Sequence, residues 1–267
     1  MKTLIRRGSL LGALPLLCLA ACEGKTGTRS AGAPPDPHHL VPRIVRVIPH
    51  DGRAFTQGLC IDGGVIYESD GLYGESGLRM SDTSGRVLAQ QPLPPLVFAE
   101  GCALSGGSLF QLTWRERRCY VYSLSGGGLR LVDSLAYDGE GWGLCTAGGE
   151  LLMSNGSDTL YARDRQMRIR RKTAVTCGGK PLVNLNEIEF ANGSVYANVW
   201  YSDFIFEIDP ASGAVERIYD CAELVAREKP DSDEKVLNGI AFCPASGLFY
   251  CTGKKWNNIY VVDLPRR

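Results

Sequence analysis

Residues 98–114, FAEGCALSGGSLFQLTW, combine an acidic side chain with an indole. The segment predicts a short apolar strand opened by Glu100, a Gly-rich turn at residues 105–108 and a returning strand that ends at Trp114. In an antiparallel hairpin the first residue of one strand lies beside the last residue of the other. We therefore expect the side chains of Glu100 and Trp114 to lie close together. A carboxyl group surrounded by indole rings should have a raised pKa, which suits proton transfer.

The same succession of strand, turn and strand occurs five times along the chain. Its opening residues are Gln57, Glu100, Trp142, Asn186 and Asn238. The intervals between them are 43, 42, 44 and 52 residues. A repeat of about 40 to 45 residues with four short strands is typical of a β-propeller blade. We therefore predict an all-β fold, a five-bladed β-propeller with four-stranded antiparallel blades.

The fifth repeat contains only three strands, whereas residues 44–48 (IVRVI) form an apolar strand before the first repeat. We expect this N-terminal strand to close the last blade, because closure removes two exposed sheet edges. The propeller is predicted to span residues 43–267. The longer fourth interval contains AELVARE within residues 221–229, which predicts one inserted helix before Pro230.

Rotation from blade to blade should place equivalent residues in rings around a central channel. One ring holds the five opening residues, and a second holds the residues that end the following strands: Asp70, Trp114, Asn155, Trp200 and Lys254. Three of the four tryptophans of the chain lie on these rings. We predict a pocket whose indole walls surround a carboxyl group. The alternative is that the tryptophans only fill the propeller core.

Histidine is scarce, which limits the available chemistry. The chain has only His38, His39 and His50, and none lies on a ring position. A histidine-based zinc site, a Ser-His-Asp triad and a Cys-His nucleophile are therefore not predicted. A calcium site would need several acids, and besides Glu100 the pattern offers at most Asp70 or Glu140. The residues at the ring positions therefore favour proton transfer without a metal or another cofactor.

The N-terminal residues predict export. Lys2, Arg6 and Arg7 precede an apolar run, so residues 1–21 are interpreted as a signal peptide. The run ends in LAAC, which resembles the lipobox of bacterial lipoproteins and would make Cys22 the lipidated first residue of the mature protein. The alternative is simple cleavage that leaves Cys22 free. Residues 22–42 lack hydrophobic periodicity and predict a flexible tether without regular structure.

These features predict a lipoprotein anchored in a membrane on the periplasmic side of a bacterial cell envelope. Removal of the signal peptide would leave three more acidic than basic side chains, so a nucleic-acid partner is not expected. No extended apolar stripe is evident, and we expect a monomer.

Eight cysteines lie beyond Cys18 and Cys22. They are Cys60, Cys102, Cys119, Cys145, Cys177, Cys221, Cys243 and Cys251. An even number in an exported chain permits up to four disulfides, among which we favour Cys243–Cys251 as a local pair on one hairpin. The alternative is that several are small buried core residues.

Nine motifs in order resemble one enzyme family. They are FTQGL at residues 55–59, ESDGLYGESGLR at 68–79, FAEG at 98–101, LFQLTW at 109–114, GEGWGL at 139–144, NEIE at 186–189, YANVW at 196–200, LNGIA at 237–241 and TGKKW at 252–256. They are similar to the plant and bacterial type of glutaminyl-peptide cyclotransferase. The resemblance covers all five repeats.

The resemblance implies a five-bladed propeller that converts the N-terminal glutamine of peptides or proteins to pyroglutamate and releases ammonia without a catalytic metal. It implies that Glu100 is the general acid/base. The other site residues it implies are Gln57, Trp114, Trp142, Asn186, Trp200 and Lys254 around the substrate, with Phe55 and Phe98 on the apolar wall. Ala99 replaces a frequent glycine, and its methyl group could narrow the approach to Glu100. The alternative function is a propeller that only binds a peptide or a partner in the cell envelope.

Overall fold

Each of the five predicted repeats forms one antiparallel sheet. The computed structural model describes residues 36–266. The N-terminal strands are β1 (His38–Leu40) and β2 (Arg43–Pro49). Blade one contains β3 (Thr56–Asp62), β4 (Val65–Asp70), β5 (Gly77–Asp82) and β6 (Val87–Pro92). Blade two contains β7 (Ala99–Ser105), β8 (Ser108–Thr113), β9 (Arg118–Ser123) and β10 (Arg130–Ala136), with a 3-10 turn at Ser125–Gly127.

The remaining blades follow the same plan. Blade three contains β11 (Leu144–Ala147), β12 (Glu150–Met153), β13 (Thr159–Arg163) and β14 (Ile169–Ala174), followed by a small hairpin of β15 (Thr176–Cys177) and β16 (Lys180–Pro181). Blade four contains β17 (Leu185–Ala191), β18 (Ser194–Val199), β19 (Phe204–Ile208) and β20 (Val215–Asp220). After helix α1 (Ala222–Glu228), blade five contains β21 (Leu237–Cys243), β22 (Leu248–Gly253) and β23 (Asn258–Asp263). The five-bladed propeller predicted from the repeats is therefore confirmed.

The N-terminal strand β2 completes the last blade. It pairs antiparallel with β23, with Ile48 opposite Ile259, and gives the strand order β2-β23-β22-β21. Ile48 is fully buried in a cluster between blades five and one. The closing strand predicted from residues 44–48 is confirmed.

Hydrophobic clusters fill the interfaces between neighbouring blades. One cluster lies between blades one and two, and equivalent clusters lie at each of the other four junctions of the ring. Because every blade buries both faces in this way, the inner strands are held in fixed positions around the axis.

The strand β1 differs from the prediction of an unstructured tether up to residue 42. It adds a fifth, parallel strand to blade four, with His38 opposite Arg217 and Leu40 opposite Tyr219. The outer edge of a blade presents unpaired backbone groups, so a short segment can pair there without apolar alternation. Pattern analysis therefore could not detect it. The predicted signal peptide and Cys22 lie outside the described residues.

The predicted helix is present as α1 and is anchored to blade five. Its buried Glu228 accepts hydrogen bonds from the Tyr260 hydroxyl at 2.7 Å and the Asn257 backbone N–H at 2.7 Å. No helix within residues 36–266 has the length and apolar character needed to cross a membrane.

The predicted Cys243–Cys251 disulfide is wrong. All eight cysteines from Cys60 to Cys251 are free thiols in residues 36–266, and six of them are buried. A four-residue turn joins β21 to β22, so Cys243 lies opposite Leu248 and Cys251 lies opposite Ile240. The register therefore separates the two thiols, and the core interpretation is the correct one for most of these cysteines.

Candidate active site

Irregularities in the innermost strands of the blades direct polar side chains toward one end of the central channel. The pairing register shifts once in each of β3, β7, β17 and β21. Gln57, Glu100, Asn186 and Asn238 lie within these irregularities. A bulge turns a side chain away from the regular alternation of a strand and often does so beside an active site.

A cavity of about 300 Å³ opens at this end of the ring. It is lined by Phe55, Gln57, Leu72, Phe98, Glu100, Trp114, Trp142, Asn186, Trp200, Glu234 and Lys254. The structure thus brings together all nine residues that the sequence analysis placed at the site, from five different blades. It also brings Glu100 and Trp114 to one end of their hairpin, since Ala99 pairs with Thr113.

Glu100 is the buried acid of the cavity. Its side chain is almost fully removed from solvent, and this burial raises the pKa of the carboxyl group well above its ordinary value. The positive charge of Lys254 opposes that shift, whereas Glu140 and Glu116 add to it. A carboxyl group with a raised pKa can exchange protons near neutral pH.

Lys254 is a buried basic residue on the lining of the same cavity. Burial lowers the pKa of the Lys254 ammonium to about 8, although the charges of Glu100 and Glu234 act in the opposite direction. The nitrogen lies 4.8 Å from the ring centre of Phe55 and 5.9 Å from that of Trp200. Aromatic faces at these distances stabilise a cation without occupying its hydrogen-bond donors.

Two groups of aromatic rings form the walls. Phe98 packs against Phe55 and Trp114, with ring centres 6.3 and 5.5 Å away. In the second group, Trp142 meets Trp200 edge to face at 5.6 Å. These contacts fix the rings against one another and leave an apolar slot. The fourth tryptophan, Trp256, is fully buried in the core between blades four and five.

Two amide side chains, Gln57 and Asn186, line the cavity, and a third, Asn238, lies behind Gln57. Gln57 Nε2 donates to Glu100 Oε1 at 3.3 Å, and Gln57 Oε1 accepts from Asn238 Nδ2 at 3.4 Å. Asn238 also donates to the backbone oxygen of Thr56 at 2.8 Å, which secures the strand that carries Gln57. The Asn186 side chain lines the cavity, while its backbone oxygen accepts from Ser154 Oγ.

Some ring positions do not reach the cavity. Asp70 turns toward Arg79, with Oδ2 at 3.3 Å from Nη2, and Asn155 accepts from Ser157 Oγ at 2.6 Å. Both side chains contact partners within their own blades and neither lines the cavity, so the ring prediction fails for them. Ala99 is fully buried and is not part of the lining, so it does not narrow the approach as expected.

Sequence reasoning missed the roles of three residues. Leu72 lines the cavity from the ESDGLYG motif and has a left-handed backbone (φ 82°). Glu234 reaches the cavity from the acidic segment that follows α1. Glu140, considered only as a possible calcium ligand, accepts hydrogen bonds from the indoles of Trp114 and Trp142. The only sequence signal for Leu72 and Glu140 is that they lie within the ESDGLYGESGLR and GEGWGL motifs.

This arrangement suits proton transfer on a small polar group held between aromatic rings. A cavity of about 300 Å³ has room for a small group such as a single amino-acid residue, and both Glu100 and Lys254 lie on its lining beside aromatic rings.

Comparisons with known proteins give one consistent family. A family model described as glutamine cyclotransferase matches residues 14–264. A glutaminyl-peptide cyclotransferase of Arabidopsis thaliana is 36% identical over 247 residues, which cover 89% of this chain and 76% of the relative. The crystal structure of the Myxococcus xanthus glutaminyl cyclase superposes with a TM-score of 0.80 at 36% identity, covering 85% of this chain and 98% of that one.

Proposed function

This chain belongs to the glutamine cyclotransferase family and is a glutaminyl-peptide cyclotransferase, and we propose that Glu100 carries its proton transfers. Its substrates are peptides or proteins with an N-terminal glutamine, which it closes to pyroglutamate. The observation that carries the assignment is the buried carboxyl group of Glu100, which lines the same cavity as the buried ammonium group of Lys254.

The reaction forms one C–N bond and breaks another. The neutral α-amine of the substrate attacks its own γ-carboxamide carbon, and the former amide nitrogen leaves as ammonia. The Glu100 carboxylate accepts a proton from the attacking nitrogen and returns it to the leaving nitrogen. No proton or electron is gained or lost overall. A positioned acid/base group of this kind contributes about 10²- to 10⁴-fold in rate.

The developing oxyanion needs a donor. Lys254 and Asn186 both line the cavity and carry N–H donors that can point at a carbonyl oxygen. A cation inside an apolar cavity stabilises developing negative charge more strongly than it would in water. We assign these two residues to the carbonyl oxygens of the substrate, and Gln57 to the orientation of Glu100.

The aromatic walls bring the reacting atoms together. Cyclisation requires a folded glutamine side chain, and a cavity lined by aromatic rings such as Phe98 and Trp142 favours a compact conformation and excludes water. The mechanism uses side chains alone, so a chelator should not affect it.

Release of ammonia from a glutamine-initiated dipeptide tests the assignment. We expect turnover by the wild-type protein with and without chelator, and none with the N-acetylated dipeptide, which has no free amine. Binding of the dipeptide without ammonia release would instead favour the alternative of a binding propeller.

We further propose that Cys22 carries a lipid that anchors the protein to a membrane of the cell envelope. The support is the apolar run at residues 10–21 that ends in LAAC. Membrane fractionation and mass spectrometry of the mature N-terminus provide the test. The wild-type protein should fractionate with membranes, and the Cys22→Ser variant should be released; a Cys22→Ser variant that stays with the membranes would contradict the anchor.

A further inference from the structure

Glu140 connects two walls of the cavity from outside it. It lies in the loop between β10 and β11, and its side chain is 40% exposed. One oxygen, Oε2, accepts hydrogen bonds from Trp114 Nε1 at 2.8 Å and from Trp142 Nε1 at 3.3 Å. Trp114 follows β8 of blade two, whereas Trp142 precedes β11 of blade three. One carboxylate therefore fixes two indoles from different blades.

The second oxygen of Glu140 organises the outer face of Trp114. Arg115 Nε donates to Glu140 Oε1 at 3.2 Å, and its guanidinium carbon lies 3.7 Å from the ring centre of Trp114. Trp114 is thus held at its N–H edge by the carboxylate and covered on one face by the cation. An ionised acceptor gives stronger hydrogen bonds than a neutral one.

Glu140 is also one of the charges that act on Glu100. Burial alone would raise the pKa of Glu140, but hydrogen bonds from Trp114, Trp142 and Arg115 lower it, so the group is ionised at neutral pH. Its negative charge raises the pKa of Glu100.

The other titratable groups near Glu100 come from four segments of the chain. They are Lys254 at the end of β22, Glu116 after β8, and the phenols of Tyr73 and Tyr137. Lys254 lowers the pKa of Glu100 and Glu116 raises it. The charge of Glu140 therefore raises the pKa of Glu100 in addition to these effects. Removing that charge removes its contribution.

We propose that Glu140 is a positioning residue, which sets the spacing of the Trp114 and Trp142 walls and thereby the affinity for the glutamine side chain. The inference rests on the proposed function, because it assigns a role in the same cavity. It separates two effects of one carboxylate: its oxygen orients the indoles, and its charge acts on Glu100.

Two variants separate these effects. Glu140→Ala removes both the acceptor and the charge, whereas Glu140→Gln keeps a carbonyl oxygen that can accept from the indoles. Asp138→Asn is the matched control, since Asp138 is an exposed acid two residues earlier in the same loop. The readouts are kcat and KM for a glutamine-initiated dipeptide, the pH dependence of kcat, and acrylamide quenching of indole fluorescence.

We expect Glu140→Ala to raise KM roughly tenfold, the effect of losing about one hydrogen bond to a charged group, with a smaller change in kcat. Its indole fluorescence should be quenched more readily. Glu140→Gln should keep KM within about threefold of wild type. Both variants should move the acid break of kcat to lower pH, because Glu100 loses a neighbouring negative charge. All variants are assayed with the same substrate, so a difference in the pH of the acid break reflects a change in the enzyme.

Asp138→Asn should match wild type in every readout. If Glu140→Ala matches Asp138→Asn in KM and in quenching, the positioning role is overturned; if neither Glu140 variant moves the acid break, the electrostatic role is overturned. Quenching does not depend on turnover, so it tests the wall contacts even if the wild-type protein releases no ammonia. That last result would contradict the proposed function alone.

Discussion

Gln57 donates a hydrogen bond to Glu100 across 3.3 Å while Asn238 holds the other end of its carboxamide. The primary amide of Gln57 is chemically the same group as the side chain of an N-terminal glutamine. The contact demonstrates that a carboxamide N–H can reach the Glu100 carboxylate within this cavity. It also shows how the acid is oriented, because one of its oxygens is fixed by a residue of the neighbouring blade.

Glu100→Gln should abolish most of the activity and leave the protein folded. The amide cannot exchange the proton, so we expect kcat to fall by about 10²- to 10⁴-fold. A variant that kept wild-type turnover would remove Glu100 from the mechanism.

The same substitution should change stability in the opposite sense. The pKa of Glu100 is raised in the folded protein, so the group costs no stability below its unfolded-state pKa and costs increasingly more as the pH rises from there to the folded-state pKa. Glu100→Gln should therefore have a higher Tm than wild type at pH 8, and the difference should shrink as the pH falls toward 4.5. Thermal unfolding across this range provides the measurement, and a lower Tm at pH 8 would contradict a cost of burying the ionised carboxyl group.

Lys254→Met should remove an alkaline limb from the pH profile. The pKa of Lys254 is about 8, so wild-type kcat should decline above that pH as the ammonium loses its proton. The variant should lose roughly 10- to 100-fold in kcat/KM, the effect of one charged hydrogen bond, and its residual rate should not decline near pH 8. Lys180→Met, at an exposed lysine of β16, is the control. An unchanged limb in Lys254→Met would assign the limb to another group.

Gly156→Ala should impair activity through Trp142. Gly156 has a left-handed backbone (φ 79°), and a methyl group there would lie 2.7 Å from Trp142 Cζ2. Gly149 has a similar backbone (φ 86°) with no heavy atom within 4 Å of such a methyl group. Both alanine variants should lose about 1–2 kcal/mol of stability from backbone strain. Only Gly156→Ala should also raise KM, and equal kinetics in the two variants would show that the position of Trp142 is unimportant.

Alkylation without a reductant should label all eight cysteines from Cys60 to Cys251 after unfolding. In the folded protein, the half-buried Cys177 and Cys243 should react first, because the other six thiols are buried. Peptide mapping by mass spectrometry distinguishes these sites. A cross-linked peptide containing Cys243 and Cys251 would contradict the observed strand register.

The sequence was sufficient to predict the blades and much of the cavity, because rotation repeats the same geometry. Glu100 and Trp114 are separated by 14 residues, as are Asn186 and Trp200, and one hairpin form brings each pair to the same end. The apolar alternation of residues 44–48 likewise indicated the closing strand. These features depend on local pattern and on symmetry, which a sequence contains directly.

Other features depend on distances that no repeat encodes. Glu140 occupies a loop between blades, and its contacts with two indoles follow from how those blades pack. Asp70 occupies a ring position but is drawn to Arg79, because a buried carboxylate requires a partner. The disulfide prediction was wrong because the length of one turn sets the register of Cys243 and Cys251. The strand β1 could not be predicted because it pairs with a sheet edge that only the assembled blade presents.

The pairing of β2 with β23 joins the first and last strands of the ring of blades within one blade. In topological terms the molecule is a circle that is fastened at one point by hydrogen bonds instead of a peptide bond. New termini could therefore be opened at the exposed Gly106–Gly107 turn and the paired residues Arg43 and Asp263 joined by a short linker, and each cavity residue would keep its neighbours. The cavity therefore depends on the closed ring of blades and not on which residue comes first in the chain.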